Sequence, residues 1–395
     1  MIDPSNWQAA LRWLERQETD RTGDSRTGRR DFLRLLGKSS LAGLTGVAAS
    51  GAAFSAAFSP GRIAEAGTAG ASGAARAAGA GSADAISDRP GGAATPAAVR
   101  PVRRISEAQP AVEGAGVRLR RAFGFGRTED FDPFLLLDDF RNDVPADYRA
   151  GFPWHPHRGI ETITYVLAGE VDHQDSLGNG GALGAGDVQW MTAGRGILHQ
   201  EMPRGDARGR MHGFQLWANL PASLKMTAPR YQDVASAEIP EITDDDGTRV
   251  RVICGTFWGK TGPVDGIAAR PCYLDVRVPP GRRRTLPVDA SRQAFAYVFE
   301  GSGTFRDASE PRAVRTERAG GGADAPEEAA NRSLVLFDSG DAVVVQPGPA
   351  GIRFLLVSGE AIREPVAWRG PIVMNTQEEL EEAWRELRDG TFIRP

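Results

Sequence analysis

Two stretches of this 395-residue chain echo one another, and that echo restricts the fold more than any other feature. Tyr165-Val166-Leu167-Ala168-Gly169 is matched by Tyr297-Val298-Phe299-Glu300-Gly301. After an intervening loop each reaches a Gly-Asp turn, Gly186-Asp187-Val188 and Gly340-Asp341-Ala342. A second turn follows, Thr192-Ala193-Gly194 and Gln346-Pro347-Gly348. Self-similarity of this kind implies two copies of one supersecondary unit. The runs between the turns are short and β-rich: Ile160 to Leu167, Val188 to Met191, Tyr273 to Val278, Ala294 to Phe299, Leu334 to Phe337, Ala342 to Val345 and Ile352 to Val357. The 48 glycines and 26 prolines punctuate many such runs, which favours turn-rich β architecture over a helical bundle. The expected class is all-β, two tandem double-sheet jelly-roll barrels. Arg306 to Asn331, polar and Gly-rich, reads as a surface insertion in the second copy. Near the end, Thr376-Gln377-Glu378-Glu379 is a capping box, Leu380, Ala383, Trp384 and Leu387 share one helical face, and Gly390 is a terminator. A short C-terminal helix packed on a barrel is expected, without a catalytic part.

All five histidines fall between positions 155 and 212. Trp154-His155-Pro156-His157-Arg158-Gly159 and Gly196-Ile197-Leu198-His199-Gln200-Glu201 each place two polar groups on alternate residues. In a strand, alternate side chains share a face, so His155 pairs with His157 and His199 with Glu201. Two such strands lining one barrel would gather three imidazoles and a carboxylate, a suitable set for a divalent transition metal. The second copy has no histidine and offers Ser291-Arg292-Gln293 at about the same place, so its barrel is expected to be metal-free. Glu161 is expected to hydrogen-bond around the metal site rather than to ligate. His173, beside Asp172 and Asp175, reads as a loop residue, solvated or bordering the pocket, and His212 as structural. Phe152, Trp154, Trp190 and Met191 are candidates for the pocket wall, with core packing as the default. Arg158 and Arg195 either steer anionic substrates or are surface charges at turns.

Residues 1–98 do not read as a folded domain. Arg29-Arg30-Asp31-Phe32-Leu33, then Arg34-Leu35-Leu36 and a mildly apolar run from Leu41 to Phe58, is similar to a twin-arginine export signal. A candidate amphipathic helix, Trp7 to Arg16, precedes the arginines. The apolar run is too diluted by Gly, Ala and Ser for a permanent membrane span. From Pro60 to about Ala98 the chain cannot bury enough apolar surface to order itself and reads as a flexible linker. The expected division is 1–58 signal region, 59–98 disordered linker, 99–228 metal-binding barrel and 229–395 degenerate barrel. Such a protein would be exported, periplasmic or secreted, through the twin-arginine machinery, folded and already carrying its metal. A formal net charge of −4 gives no basic field for nucleic acid. Cys254 and Cys272 are the whole cysteine complement, which excludes a disulfide framework and a CxxC site; two separately buried thiols are expected.

From about Val102 to Arg394 the chain resembles the pirin family of bicupins. The anchors are Asp132-Pro133-Phe134-Leu135-Leu136-Leu137, Gly151-Phe152-Pro153 before His155-Pro156-His157-Arg158-Gly159, and Glu161-Thr162 with Tyr165-Val166-Leu167. Gly186 to Gly194, Ile197-Leu198-His199, Gly213 to Trp217 and Glu364 to Thr376 continue the match in order. The resemblance implies two cupin domains and one mononuclear metal, usually iron, held at His155, His157, His199 and Glu201; Mn, Cu, Ni, Co or Zn stay open. Some bacterial members resemble quercetin 2,3-dioxygenases, and animal members are nuclear co-regulators. Trp154 departs from the smaller or acidic residue frequent there, and the export leader is foreign to cytosolic and nuclear members. The expected partners are a flavonol-like or other chelating enol substrate and dioxygen, acting on a monomer. Glu201 is the expected catalytic base, releasing the metal to take the enol proton. The rival readings are a non-catalytic, redox-sensing iron module and a zinc hydrolase or isomerase.

Overall fold

Residues with branched or aromatic side chains alternate with polar ones between glycine turns, so the backbone settles into strands throughout. The computed structural model describes residues 7, 8, 11, 12, 98–264, 268–317 and 328–394. The twin-arginine motif and, apart from Ala98, the Ala/Gly/Ser tract lie outside these residues.

Among the described residues the first barrel has two sheets. The larger follows the order β12-β9-β6-β11-β4-β3-β2. Its strands are β2 (Gln109–Glu113), β3 (Val117–Phe123), β4 (Phe134–Asp139), β6 (Ile160–Ala168), β9 (Val188–Thr192), β11 (His212–Asn219) and β12 (Arg230–Val234). The smaller, β5-β10-β7-β8, comprises β5 (Phe152–His157), β7 (Glu170–Asp175), β8 (Gly180–Leu183) and β10 (Ile197–Arg204). Strand alternation gives the large sheet two interiors. Ile163, Tyr165, Phe214 and Leu216 enter one core with Tyr273, Phe295, Tyr297 and Leu355 of the second barrel. Thr164 and Trp217 face the small sheet instead, where they meet Glu201 and His157.

The second barrel is built on β13 (Glu241–Thr243), β14 (Arg249–Cys254), β17 (Cys272–Val278), β19 (Gln293–Phe305), β22 (Ser333–Phe337) and the long β23 (Ala342–Gly359). β15 (Thr256–Phe257) and β16 (Lys260–Thr261) form a small hairpin. β18 (Arg284–Pro287) adds to β23, and β20 (Arg315–Glu317) and β21 (Glu328–Ala330) edge the sheet. β1 (Val102–Glu107) precedes the first barrel in the chain yet pairs antiparallel with β22 of the second. In return, the C-terminal hairpin β24 (Ala367–Arg369) and β25 (Ile372–Met374) and its helix pack on Leu198 of the first. Each barrel therefore borrows an end of the chain from the other side. A single turn, α1 (Thr128–Phe131), and the C-terminal helix α2 (Gln377–Asp389) are the α-helices among the described residues from 98 onward. Thr376 caps α2 in a box with Glu379, and Gly390 ends it in the left-handed region, as expected. Trp7 and Leu11, from the candidate N-terminal helix, pack against the cluster formed by Leu198, Ile372 and Trp384.

The repeat is real but its expected register is one turn out of step. Tyr165 and Tyr297 are equivalent, facing Val188 on β9 and Leu334 on β22. Gly186 N donates to Val166 O, and in the second barrel it is Arg332 N that donates to Val298 O. The counterpart of the Gly186-Asp187 turn is thus Asn331-Arg332, with Arg332 at φ +73°. Gly340-Asp341 leads into β23, as Gly194 to Gly196 leads into β10. Likewise the counterpart of the His155–His157 strand is β18, not Ser291-Arg292-Gln293, which lies at the turn into β19.

Candidate metal centre

β5 and β10 are antiparallel neighbours, with His155 opposite His199 and His157 opposite Ile197. Opposed residues share a face, so the three histidines enter one barrel interior together. Their ring centroids stand 4.3 to 5.0 Å apart, and their ligand atoms lie within 4.8 Å of one another. The β10 ladder shifts after His199, which sets Glu201 opposite Phe152 on β5 and His173 on β7.

The surroundings fix how these rings can act. His155 Nδ1 lies 2.9 Å from Pro153 O, and His157 Nδ1 lies 3.1 Å from Pro371 O. A carbonyl only accepts, so each Nδ1 carries the proton and each Nε2 is left with its lone pair. His199 is buried with neither ring nitrogen hydrogen-bonded, an arrangement that costs about 1–3 kcal/mol unless something satisfies it. Burial pushes the His155 imidazolium down to about 4. Burial and the neighbouring imidazoles hold His157 and His199 well below the usual range, so all three are neutral. Burial raises the Glu201 carboxyl to about 7, opposed by Thr164, whose Oγ1 lies 3.1 Å from Glu201 Oε1. Three neutral imidazoles, one unsatisfied, beside an acid without a counter-ion are the donor set a divalent metal requires. The residues present fit such an ion. The three imidazoles converge, whereas the Glu201 carboxylate is not among the groups within 4.8 Å of one another; its Oε1 lies 3.1 Å from Thr164 Oγ1 instead.

The C-terminal segment completes the site from far along the chain. Besides the Pro371 carbonyl, Val373 O runs so close to Gly159 that a Cβ there would meet it at 1.9 Å, and Gly159 adopts φ +76°. Buried Lys225 ties this crossing together, its Nζ donating to Gly159 O, Asn219 Oδ1 and Val373 O. Burial lowers the Lys225 pKa to about 7.

Several expectations change. Arg158 does not steer substrates: it is buried, 2.7 Å from Glu386 on α2, donates to Phe392 O and lies 4.1 Å from the Phe392 ring centre. Arg195 Nη2 donates to Arg394 O in the same C-terminal region. Glu161 shares its face of β6 with Ile163 and Tyr165, so it points to the seam between barrels and not to the histidines. There it receives Thr192 Oγ1 at 2.8 Å, its Oε2 has no hydrogen-bond partner, and burial raises its pKa to about 7. His173 is no loop residue; it is buried on β7, its ring stacked 6.0 Å from Tyr231. His212 Nε2 pairs with Asp143 Oδ1 at 2.6 Å. Trp154 packs against the α2 cluster and Trp190 in the inter-barrel core, whereas Met191 shares a cluster with Trp217. Both cysteines are free thiols, Cys254 buried and Cys272 partly so.

The Pirin family model matches residues 116–218, and that of the Pirin C-terminal cupin domain matches residues 273–393. The chain belongs to the pirin family. A pirin-like protein of Caulobacter vibrioides is 45% identical over 295 residues, spanning 74% of this chain and 99% of that protein. Human pirin is 39% identical over 279 residues, 70% of this chain and 88% of its own. Among solved structures, quercetin 2,3-dioxygenase from Acinetobacter baumannii is similar with a TM-score of 0.65 and 29% identity, covering 75% of this chain and 99% of that one. This pirin is accordingly a bicupin metal-binding protein. No described helix is long and apolar enough to cross a membrane.

Proposed function

We propose that this pirin is a mononuclear, iron-dependent dioxygenase acting on a flavonol-like or other chelating enol, with His155, His157, His199 and Glu201 as the ligands. The observation that carries the reading is His199, buried with both ring nitrogens unsatisfied between two histidines whose Nδ1 protons are already committed. The likeness to a protein named quercetin 2,3-dioxygenase supports the choice of reaction. The bound ion would supply Lewis acidity and open positions for vicinal substrate oxygens. The chain supplies the rest. Its imidazoles stay neutral and fixed, and Thr164 orients the Glu201 carboxylate. Glu201 accepts the enol proton at a carboxylate oxygen.

Elemental analysis and oxygen uptake with a panel of flavonols and catechols test the reading. Glu201→Gln should retain metal yet lose at least about 100-fold in turnover; full activity in that variant removes the base assignment. No uptake with any substrate would leave a non-catalytic iron module. We also propose twin-arginine export to the periplasm or medium as a folded monomer, checked by fractionating cells that carry Arg29→Lys/Arg30→Lys. The division into a metal-binding and a degenerate unit is part of the same proposal, with its boundary moved from 228 to beyond Val234, because β12 pairs with β9 of the first barrel.

A further inference from the structure

Beside His157 the barrel wall continues as a strip of aromatic rings. Trp217 stands 5.0 Å from His157 at 86°, Trp368 stands 6.0 Å from Trp217 at 41°, and Phe125 stands 5.5 Å from Trp368 at 65°. Three separate parts of the chain supply them: β11, the C-terminal β24, and the turn between β3 and α1. Trp217 and Trp368 are half-buried, and Phe125 is 73% exposed. Leaving a phenylalanine ring in water gains nothing for the core, and here it extends a line of rings that begins at a candidate ligand. The Trp368 indole N–H is already committed to Gly370 O at 2.7 Å. The rim therefore offers ring faces and edges, which suit another flat ring better than an anion.

We propose that Trp217, Trp368 and Phe125 form the subsite for the substrate's pendant aromatic ring, the one remote from its chelating oxygens. This rests on reading the histidine centre as the place where those oxygens bind. Stacking there selects aryl-substituted enols over small aliphatic chelators of equal metal affinity. Trp368 and Phe125 act as specificity-determining residues, since they lie two and three rings beyond His157.

The test uses full-length, metal-loaded protein and unsubstituted flavone, which has the flat rings but no vicinal hydroxyl to chelate. Calorimetric titration should show flavone binding that weakens about tenfold in Trp368→Ala and about threefold in Phe125→Ala, with metal content unchanged. Phe125→Ala removes an exposed ring and so reads out binding without a folding effect. Trp368→Phe should restore most of the affinity, which a merely structural tryptophan would not require. Acetylacetone, a small aliphatic chelator, should bind all variants alike. Absence of flavone binding to the native protein, or equal binding by all variants, overturns the subsite. Flavone binding that depends on both rings, without oxygen uptake on any flavonol, would keep the subsite and remove the dioxygenase reading. Oxygen uptake with flavonols at an unchanged KM in both variants would do the reverse.

Discussion

In the first barrel the ladder between β5 and β10 sets His155 opposite His199, and in the second the equivalent ladder between β18 and β23 sets Leu286 opposite Val343. All four residues are buried. Leu286, Val343 and Val345 interlock with Val276, Val298 and Phe354 in a wholly apolar cluster. The histidines leave unsatisfied nitrogen and an acid whose charge burial disfavours. The same scaffold is thus filled with hydrocarbon on one side and lined with converging imidazoles on the other. Metal binding here is a matter of a few inward positions on one ladder, not of the jelly roll itself.

The sharpest way to break that contrast is to put an acid into the filled barrel. Leu286→Asp should destabilise the protein by at least about 4 kcal/mol, because a carboxylate would have to ionise among valines or stay neutral and unpaired. His199→Leu, in the imidazole-lined barrel, should change the stability of the metal-free protein by less than about 1 kcal/mol while lowering metal affinity by more than about 100-fold. Denaturant titration and elemental analysis report the two quantities. Equal stability losses would mean that both interiors are packed alike and that the polar ladder has no special tolerance.

A second contrast concerns the ends of the chain. The second barrel's tail holds the first barrel's metal strand, at Pro371 O and Val373 O. Gly159→Ala, at φ +76° and with a Cβ 1.9 Å from Val373 O, should cost about 2–4 kcal/mol and weaken the metal centre through displacement of that tail. If the loss were confined to metal affinity, with the melting transition unmoved, the crossing would be local to the site and not a clasp between barrels.

How much of this was legible depends on the range over which each interaction acts. A strand's two-residue period is local, so His155, His157 and their placement on one face follow from spacing alone. That period does not survive a turn: Arg158 and Gly159 intervene before β6, and Glu161 therefore emerges on the opposite face from the one its spacing to His157 suggests. His173, flanked by acids, looks like loop sequence, and only pairing with β10 makes it a strand residue. The partner of His157 Nδ1 is a backbone carbonyl 214 residues away, and a carbonyl has no residue signature. The repeat register failed for a related reason. Glycine turns resemble one another, and only the hydrogen bond from Arg332 N to Val298 O tells which turn closes which strand.

The smallest expected effect separates the metal site from the seam between barrels. Glu161 at the seam and Glu201 at the site both have carboxyls raised from 4.5 to about 7 by burial. A raised acid favours the folded state fully below its unfolded value, and that contribution is lost as pH rises through the folded value. Each acid therefore removes at most about 3.5 kcal/mol as pH rises from 4.5 through 7. The imidazoles, pushed down by burial from 6.5, act in the opposite sense at acid pH, so the informative quantity is the difference between variants. Glu161→Gln should stabilise the metal-free protein at pH 8 relative to pH 5, and metal should add its own flattening by compensating Glu201. Chemical denaturation at the two pH values, with and without metal, measures both. If metal abolished the entire pH difference in the native protein, Glu161 would belong to the metal site after all, and the two interiors of the large sheet would not be independent.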